Sequence, residues 1–287
     1  MDALLRRKYA GAKEPIVFIV GAPRSGTTVL YQLMAEHLDV GFVNNKMARY
    51  FAAPLIAAML HGRAGGGHEL DLASEYGRTS GERSPHEFSW FWHYHGDFLL
   101  HDDLSADERD RIDWQPIKHA LEALAGYFKR PLLIKNLNSV AYQIPWLQEL
   151  LPTAKFIWIR RDERFTVQSI LRVREDQYGD RGVWWSVRPR DAAEWRDKPA
   201  VEQVAHQVTD ICVAIESAFA SLPTDRQLEL DYESLMSKPG ETLRRVARFA
   251  GAGIVDDGKL DALTLRARNE KTVDDQTWDE IRVALAP

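Results

Sequence analysis

The sequence predicts an α/β fold: a parallel sheet with helices on both faces. Three observations carry this expectation. Short apolar, β-branched runs recur along the chain, each is followed by a segment with apolar residues at helical spacing, and a glycine-bearing turn joins the first run to its helix. Runs that are continuously apolar, rather than alternating, mark strands buried on both faces, as in parallel sheets.

Taken in order, residues 15–20 hold Ile16, Val17, Phe18, Ile19 and Val20 and stop at Gly21, and residues 28–38 then follow a helical pattern. The alternation returns at 131–135, a strand before a helix over 140–151, and at 154–159, a strand before a helix over 164–175. A fourth strand, 227–231, leads into a helix over 241–250. In such folds the active groups gather at the carboxyl ends of the strands. Two long insertions interrupt the pattern. One, at about 61–103, opens with Gly65, Gly66 and Gly67 and becomes rich in aromatics and histidine. The other, at about 176–199, holds Trp184, Trp185 and Trp195. Insertions of this length in a compact domain are usually functional or mobile. Neither a fixed-period repeat nor a dividing linker is visible, so a single domain over 1–287 is expected.

Composition narrows the function. The 287 residues carry 37 Lys+Arg against 42 Asp+Glu, a formal charge of −5, with 45% hydrophobic and 28% charged residues. That balance excludes collagen-like, low-complexity and wholly disordered chains. Its mild acidity argues against a general nucleic-acid binder, while leaving room for a local basic pocket. A single cysteine, Cys212, excludes an internal disulfide framework and a multi-cysteine zinc site. No apolar stretch approaches the roughly 20 residues of a transmembrane helix. The first eight residues are basic without an apolar run behind them, a poor signal peptide. The expected location is cytoplasmic.

Residues 21–28 sit between the first strand and its helix, where backbone N–H groups and the positive helix end can surround an anion. Gly21 and Gly26 match the glycine spacing of a nucleotide-binding P-loop, but Thr27 stands where that motif has lysine, and the cation comes earlier, as Arg24. A kinase needs Mg²⁺ held by the loop and by an acidic residue ending another strand. Here the 154–159 strand runs into Arg160 and Arg161, which would repel Mg²⁺ and welcome a second phosphate. Arg161 before the next helix and Ser169 two turns into it can converge on that phosphate.

At this point the chain resembles a known family, the sulfotransferases that use 3′-phosphoadenosine 5′-phosphosulfate (PAPS). Pro23, Arg24, Ser25, Gly26, Thr27 and Thr28 look like their 5′-phosphosulfate loop, with arginine in place of lysine. Arg161 and Ser169 look like their 3′-phosphate pair. Residues 231–239, followed by 241–250, resemble their later Tyr-Glu-x-Leu block and helix. The likeness spans about 15–40, 131–176 and 227–251. It implies a three-layer α/β sheet with a P-loop-like 5′-phosphosulfate loop, PAPS as donor, 3′,5′-ADP as product and no metal. It implies also that Arg24, Ser25, Gly26, Thr27 and Thr28 grip the 5′ end, that Arg161 and Ser169 hold the 3′-phosphate, and that Tyr232 contacts the nucleotide. Lys135 aligns with a strand-end basic residue that faces the transferred group, although Leu137 stands where the family often has proline.

Transfer to a hydroxyl also needs a base, and the first insertion offers carboxylates and imidazoles. Ser84 and Pro85 read as a helix start that would place His86 and Glu87 in its first turn. Glu87 is the favoured base, since related enzymes use a glutamate from this insertion; His86 and Glu82 follow. His86 and Glu87 do not begin a zinc motif, because Trp90 occupies the position of the second histidine. Trp90, Phe91, Trp92 and Tyr94, or Trp184 and Trp185, offer a platform for a sugar or another flat or amphiphilic acceptor, with core packing as the alternative. Arg266, Arg268 and Lys271 can close over the nucleotide or form a solvated face. Two other readings share part of the pattern: a Mg²⁺-dependent P-loop kinase, and an inactive nucleotide-binding scaffold that works through its aromatic insertions.

Overall fold

The computed structural model describes residues 2–9, 11–62, 74–75, 78–96 and 102–286. Its centre is a five-stranded sheet of β1 (Ile16–Val20), β2 (Gly41–Phe42), β3 (Leu132–Ile134), β4 (Ala154–Arg160) and β5 (Gln227–Asp231), in the spatial order β2-β3-β1-β4-β5. Every pairing in it is parallel, and Phe18 of β1 lies opposite both Ile134 and Phe156. The three-layer α/β arrangement is as expected.

Period-two geometry sends successive side chains of β1 to opposite faces. Ile16, Phe18 and Val20 pack into one apolar cluster with Leu121, Leu124, Val167, Ile170, Val208 and Ile211, where Phe18 stacks on Phe156 with ring centroids 5.3 Å apart. Val17 and Ile19 pack into a second cluster with Leu30, Leu33, Met34, Leu243 and Val246. Helix α1 (Thr27–His37) and the helix Pro239–Ala250 thus cover one face. Helices Gln115–Phe128, α2 (Glu163–Tyr178) and α3 (Ala200–Ser221) cover the other. Burying both faces explains why β1 is continuously apolar.

Three details differ from the sequence reading. The helix expected over 140–151 is two pieces, Leu137–Val140 and Ile144–Leu150, because Pro145 falls in the first turn of the second and cannot continue a helix begun upstream. The edge strand β2 is only two residues long and leaves no periodic pattern to read. No helix begins at Ser84. Pro85 instead forms an antiparallel bridge with Asn44, and the His86 N–H donates to the Val43 carbonyl at 2.8 Å, so this stretch runs extended beside the sheet and the helix starts at Ser89. Gly65, Gly66 and Gly67 lie outside the described residues. Among the described residues no helix is long and apolar enough to cross a membrane.

Candidate active site

β1 and β4 are parallel neighbours, so the loops leaving them meet at the carboxyl end of the sheet. The first loop turns tightly. Gly21 (φ +153°) allows an approach to β4 that a side chain would block, since a Cβ there would lie 2.6 Å from the Ile159 carbonyl oxygen. Gly26 (φ +103°) presses on Tyr232, whose ring would sit 2.5 Å from a Cβ. Gly26 also caps α1 without any side-chain hydrogen bond. The first-turn N–H groups of a helix have no intrahelical acceptors, and an uncapped end presents them, with the positive end of the dipole, to whatever anion approaches.

They open on a cleft of about 860 Å³. Arg24, Gly26, Thr27, Thr28, Glu87, Lys135, Arg161, Ser169 and Tyr232 all line it, so residues scattered over more than two hundred positions converge on one cavity. Ser25 and His86, also expected at the site, do not line it. The Ser25 N–H closes the turn on the Ala22 carbonyl at 3.1 Å, and the residue is buried and lines a separate cavity of about 290 Å³ together with Trp158, Arg161 and Cys212. His86 faces inward: its Nδ1 accepts the Phe88 N–H at 2.8 Å, and burial pulls its pKa below the usual imidazole range.

The arginines are held tightly. Arg24 adopts a positive φ of 70° and its Nε donates to Ser169 Oγ at 3.0 Å. The Arg161 guanidinium lies 4.7 Å over the Tyr232 ring, and its Nη1 donates to the Arg24 carbonyl at 2.9 Å. Burial draws its pKa down. Arg160, next in sequence, turns away to pair with Glu229 at 2.8 Å and to stack over Trp158. Between Arg161 and α2, Asp162 caps the helix by accepting the Arg164 N–H at 3.0 Å. The same arginine's side chain, bonded to the Asp162 carboxylate, holds that carboxyl below its usual range.

Lys135, 3% exposed, directly follows β3, its ammonium donating to Thr28 Oγ1 at 3.1 Å and ion-paired with Glu87. Glu87 is not on the first helical turn that the sequence suggests. It projects from the extended stretch ahead of the Ser89–Gly96 helix, where Phe88 takes a positive φ of 59° and Asn136 Nδ2 donates to the Glu87 carbonyl at 3.2 Å. Glu82 pairs on the surface with Lys46.

The aromatic insertions split. Phe91 and Trp92 are fully buried core residues, Trp90 and Tyr94 are 66% and 62% exposed, and none of the four lines the cleft. Trp185 and Ser186 do line it, beside Arg172, Val173 and Asp176. Trp184 instead packs against the Arg174 guanidinium at 5.1 Å. The far wall is an irregular stretch in which Arg266, Arg268, Glu270 and Thr272 face the cavity, while Lys271 pairs with Asp275. Gln168, next to Ser169, also lines the cleft and was not identifiable from the sequence.

A sequence model of the sulfotransferase family matches residues 15–257, which contain nearly all of these groups. The chain belongs to the sulfotransferase family. Its reaction class is therefore sulfuryl transfer. Among solved structures, this sulfotransferase is similar to one from Mycobacterium tuberculosis, with a TM-score of 0.57 and 14% identity over 99% of this chain and 81% of that one. A sulfotransferase from Mycobacterium avium gives a TM-score of 0.52 and 14% identity over 96% of this chain and 68% of that one. At such identities the likeness is one of fold. Comparison with curated protein sequences gives no significant match.

Proposed function

We propose that this sulfotransferase moves a sulfuryl group from PAPS to a hydroxyl of a carbohydrate, glycolipid or small-metabolite acceptor, releasing 3′,5′-ADP without a metal, as a single domain over 1–287. One observation carries the reading. Two arginine-bearing elements from adjacent strands, the Arg24 loop and the Arg161–Ser169 segment, open on the same cleft, with Arg161 donating to the Arg24 backbone.

The residues fit such a donor. The uncapped α1 end supplies N–H groups for a 5′ anion, and the Cβ-free face of Gly26 leaves room for Tyr232 beside the nucleotide. Arg161 and Ser169 supply donors for a 3′-phosphate, and an arginine in this position favours a second anionic group over a divalent cation. Bound PAPS supplies an activated sulfuryl group on a mixed anhydride. The chain's own part follows from where its groups stand. Arg24, Lys135, Thr28 and the loop N–H groups stabilise negative charge developing at the 5′ end, with Lys135 fixed beforehand by its bond to Thr28 and Arg24 by its bond to Ser169. Glu87 takes the proton from the acceptor hydroxyl, with Lys135 orienting its carboxylate. Trp185 and Ser186 form the neighbouring wall for the acceptor.

The direct test is incubation with sulfur-labelled PAPS and a panel of hydroxyl and amine acceptors. Label should move to a hydroxyl compound and 3′,5′-ADP should accumulate. Nucleotide binding with no transfer to any acceptor would favour an inactive scaffold instead.

A further inference from the structure

The stretch from 263 to 272 has no regular secondary structure, so no backbone ladder fixes its place over the cleft. Side chains from elsewhere do so, and Gln168 contributes most directly. It is 4% exposed; its Nε2 donates to the Glu270 carbonyl at 2.7 Å and its Oε1 accepts the Thr272 N–H at 3.1 Å. A side-chain amide carries a donor and an acceptor on one planar group, and Gln168 uses both on the same stretch. Two further bonds help hold it: the Arg268 N–H donates to the Tyr232 hydroxyl at 3.2 Å, and Asn269 Nδ2 donates to Glu233 at 2.5 Å.

The stretch so held bonds directly to Arg161. Arg161 Nε donates to Asn269 Oδ1 at 2.9 Å and Nη2 to the Arg268 carbonyl at 2.6 Å, while Nη1 takes the Arg24 carbonyl. A guanidinium has five N–H groups. Three protein acceptors therefore fix its orientation and leave two N–H groups for a ligand. An arginine aimed in advance loses less freedom on binding than one that must be ordered by its ligand.

We infer that Gln168 is a positioning residue that sets the enzyme's preference for a 3′-phosphate. By fixing the backbone at Glu270 and Thr272, it places Arg268 and Asn269 where they aim Arg161 into the cleft. The inference rests on the PAPS reading given above, and it concerns the anchoring of Arg161 rather than its contact with the ligand.

The test compares 3′,5′-ADP with 5′-AMP, which lacks the 3′-phosphate, by calorimetry on the full chain. Wild type should prefer 3′,5′-ADP. Gln168→Leu should weaken 3′,5′-ADP by roughly tenfold, as expected when charge-assisted bonds are loosened, and leave 5′-AMP within about twofold. Gln168→Glu keeps the acceptor for Thr272 but loses the donor to Glu270, and should fall between. Asn269→Ala, at a half-buried position, removes one anchor of Arg161 without touching the helix and should repeat the selective loss even if the Gln168 variants fail to fold. If wild type prefers 3′,5′-ADP and that preference survives both Gln168→Leu and Asn269→Ala, or both nucleotides weaken equally, the inference is overturned alone. If wild type binds the two nucleotides alike, the 3′-phosphate site itself is absent and the donor reading fails with it.

Discussion

Arg24 Nε lies 3.0 Å from Ser169 Oγ, although 145 positions separate the two residues in the chain. The bond ties the loop after β1 to the helix after β4 and makes them two sides of one cavity. Neither loop alone distinguishes a sulfotransferase from other anion-binding folds. Their meeting, with Arg161 reaching the Arg24 backbone, is what supports a single ligand anionic at both ends.

Arg24→Ala should reduce sulfuryl transfer by at least about 100-fold, the scale on which loss of one preorganised charge-stabilising donor acts. Arg24→Lys should recover only part of it, because an ammonium cannot serve Ser169 and a ligand with the planar fork of arginine. Initial rates with labelled PAPS check both; near-normal transfer by Arg24→Ala would remove the loop from the mechanism.

Glu87→Gln should lower kcat by about 10²–10³-fold while 3′,5′-ADP affinity changes little, since the carboxylate is assigned to the acceptor proton and not to the nucleotide. A parallel loss of nucleotide affinity would mean instead that its pairing with Lys135 holds the loop together. Full activity would send the search for a base elsewhere in the cleft.

Gly26→Ala should cost about 2 kcal/mol or more of stability and abolish nucleotide binding. The new methyl would meet the Tyr232 ring at 2.5 Å in a backbone conformation that L-residues avoid. Urea titration alongside calorimetry checks the pair of effects. A normal unfolding midpoint would show that Tyr232 can move aside.

Much of this was legible in the sequence because it is local. Continuous apolar runs marked the long strands, and the glycines of residues 21–28 marked the tight turn after β1. Arg161 and Ser169 stood at a readable spacing. What escaped depends on distant partners. The two residues of β2 pair with β3 across some ninety positions and carry no pattern of their own. The bridge between Asn44 and Pro85 overrides a local helix signal and places Glu87 on an extended stretch rather than on a helix turn. Gln168 reads as an ordinary helical glutamine, and only its bonds to Glu270 and Thr272, more than a hundred positions away, give it a purpose. The aromatic cluster at 90–94 was ambiguous for the same reason: pattern alone does not separate Trp92, which is core, from Trp90, which is exposed.

Stability should decline on mild acidification. His37, His86, His93 and His95 each have a pKa lowered mainly by burial. The unfolded chain, with ordinary imidazoles near pH 6.5, then binds more protons than the native one, so the contribution is present above that pH and is lost as pH falls below it. Asp162 and Asp274, whose carboxyls are also held low, act only below about pH 4. Urea midpoints should therefore drop between pH 7.5 and 5.5. A midpoint that rises over that window would contradict the assignment of these histidines as neutral.

Calorimetric titration with 3′,5′-ADP in the presence of a chelator tests the central claim most directly, with Arg161→Ala run beside the wild type. Wild-type binding should be tight and untouched by the chelator, and should fall by roughly 100-fold in the variant, as when a charge-assisted phosphate contact is lost. Binding that needs Mg²⁺, prefers ATP, or ignores the loss of Arg161 would contradict it.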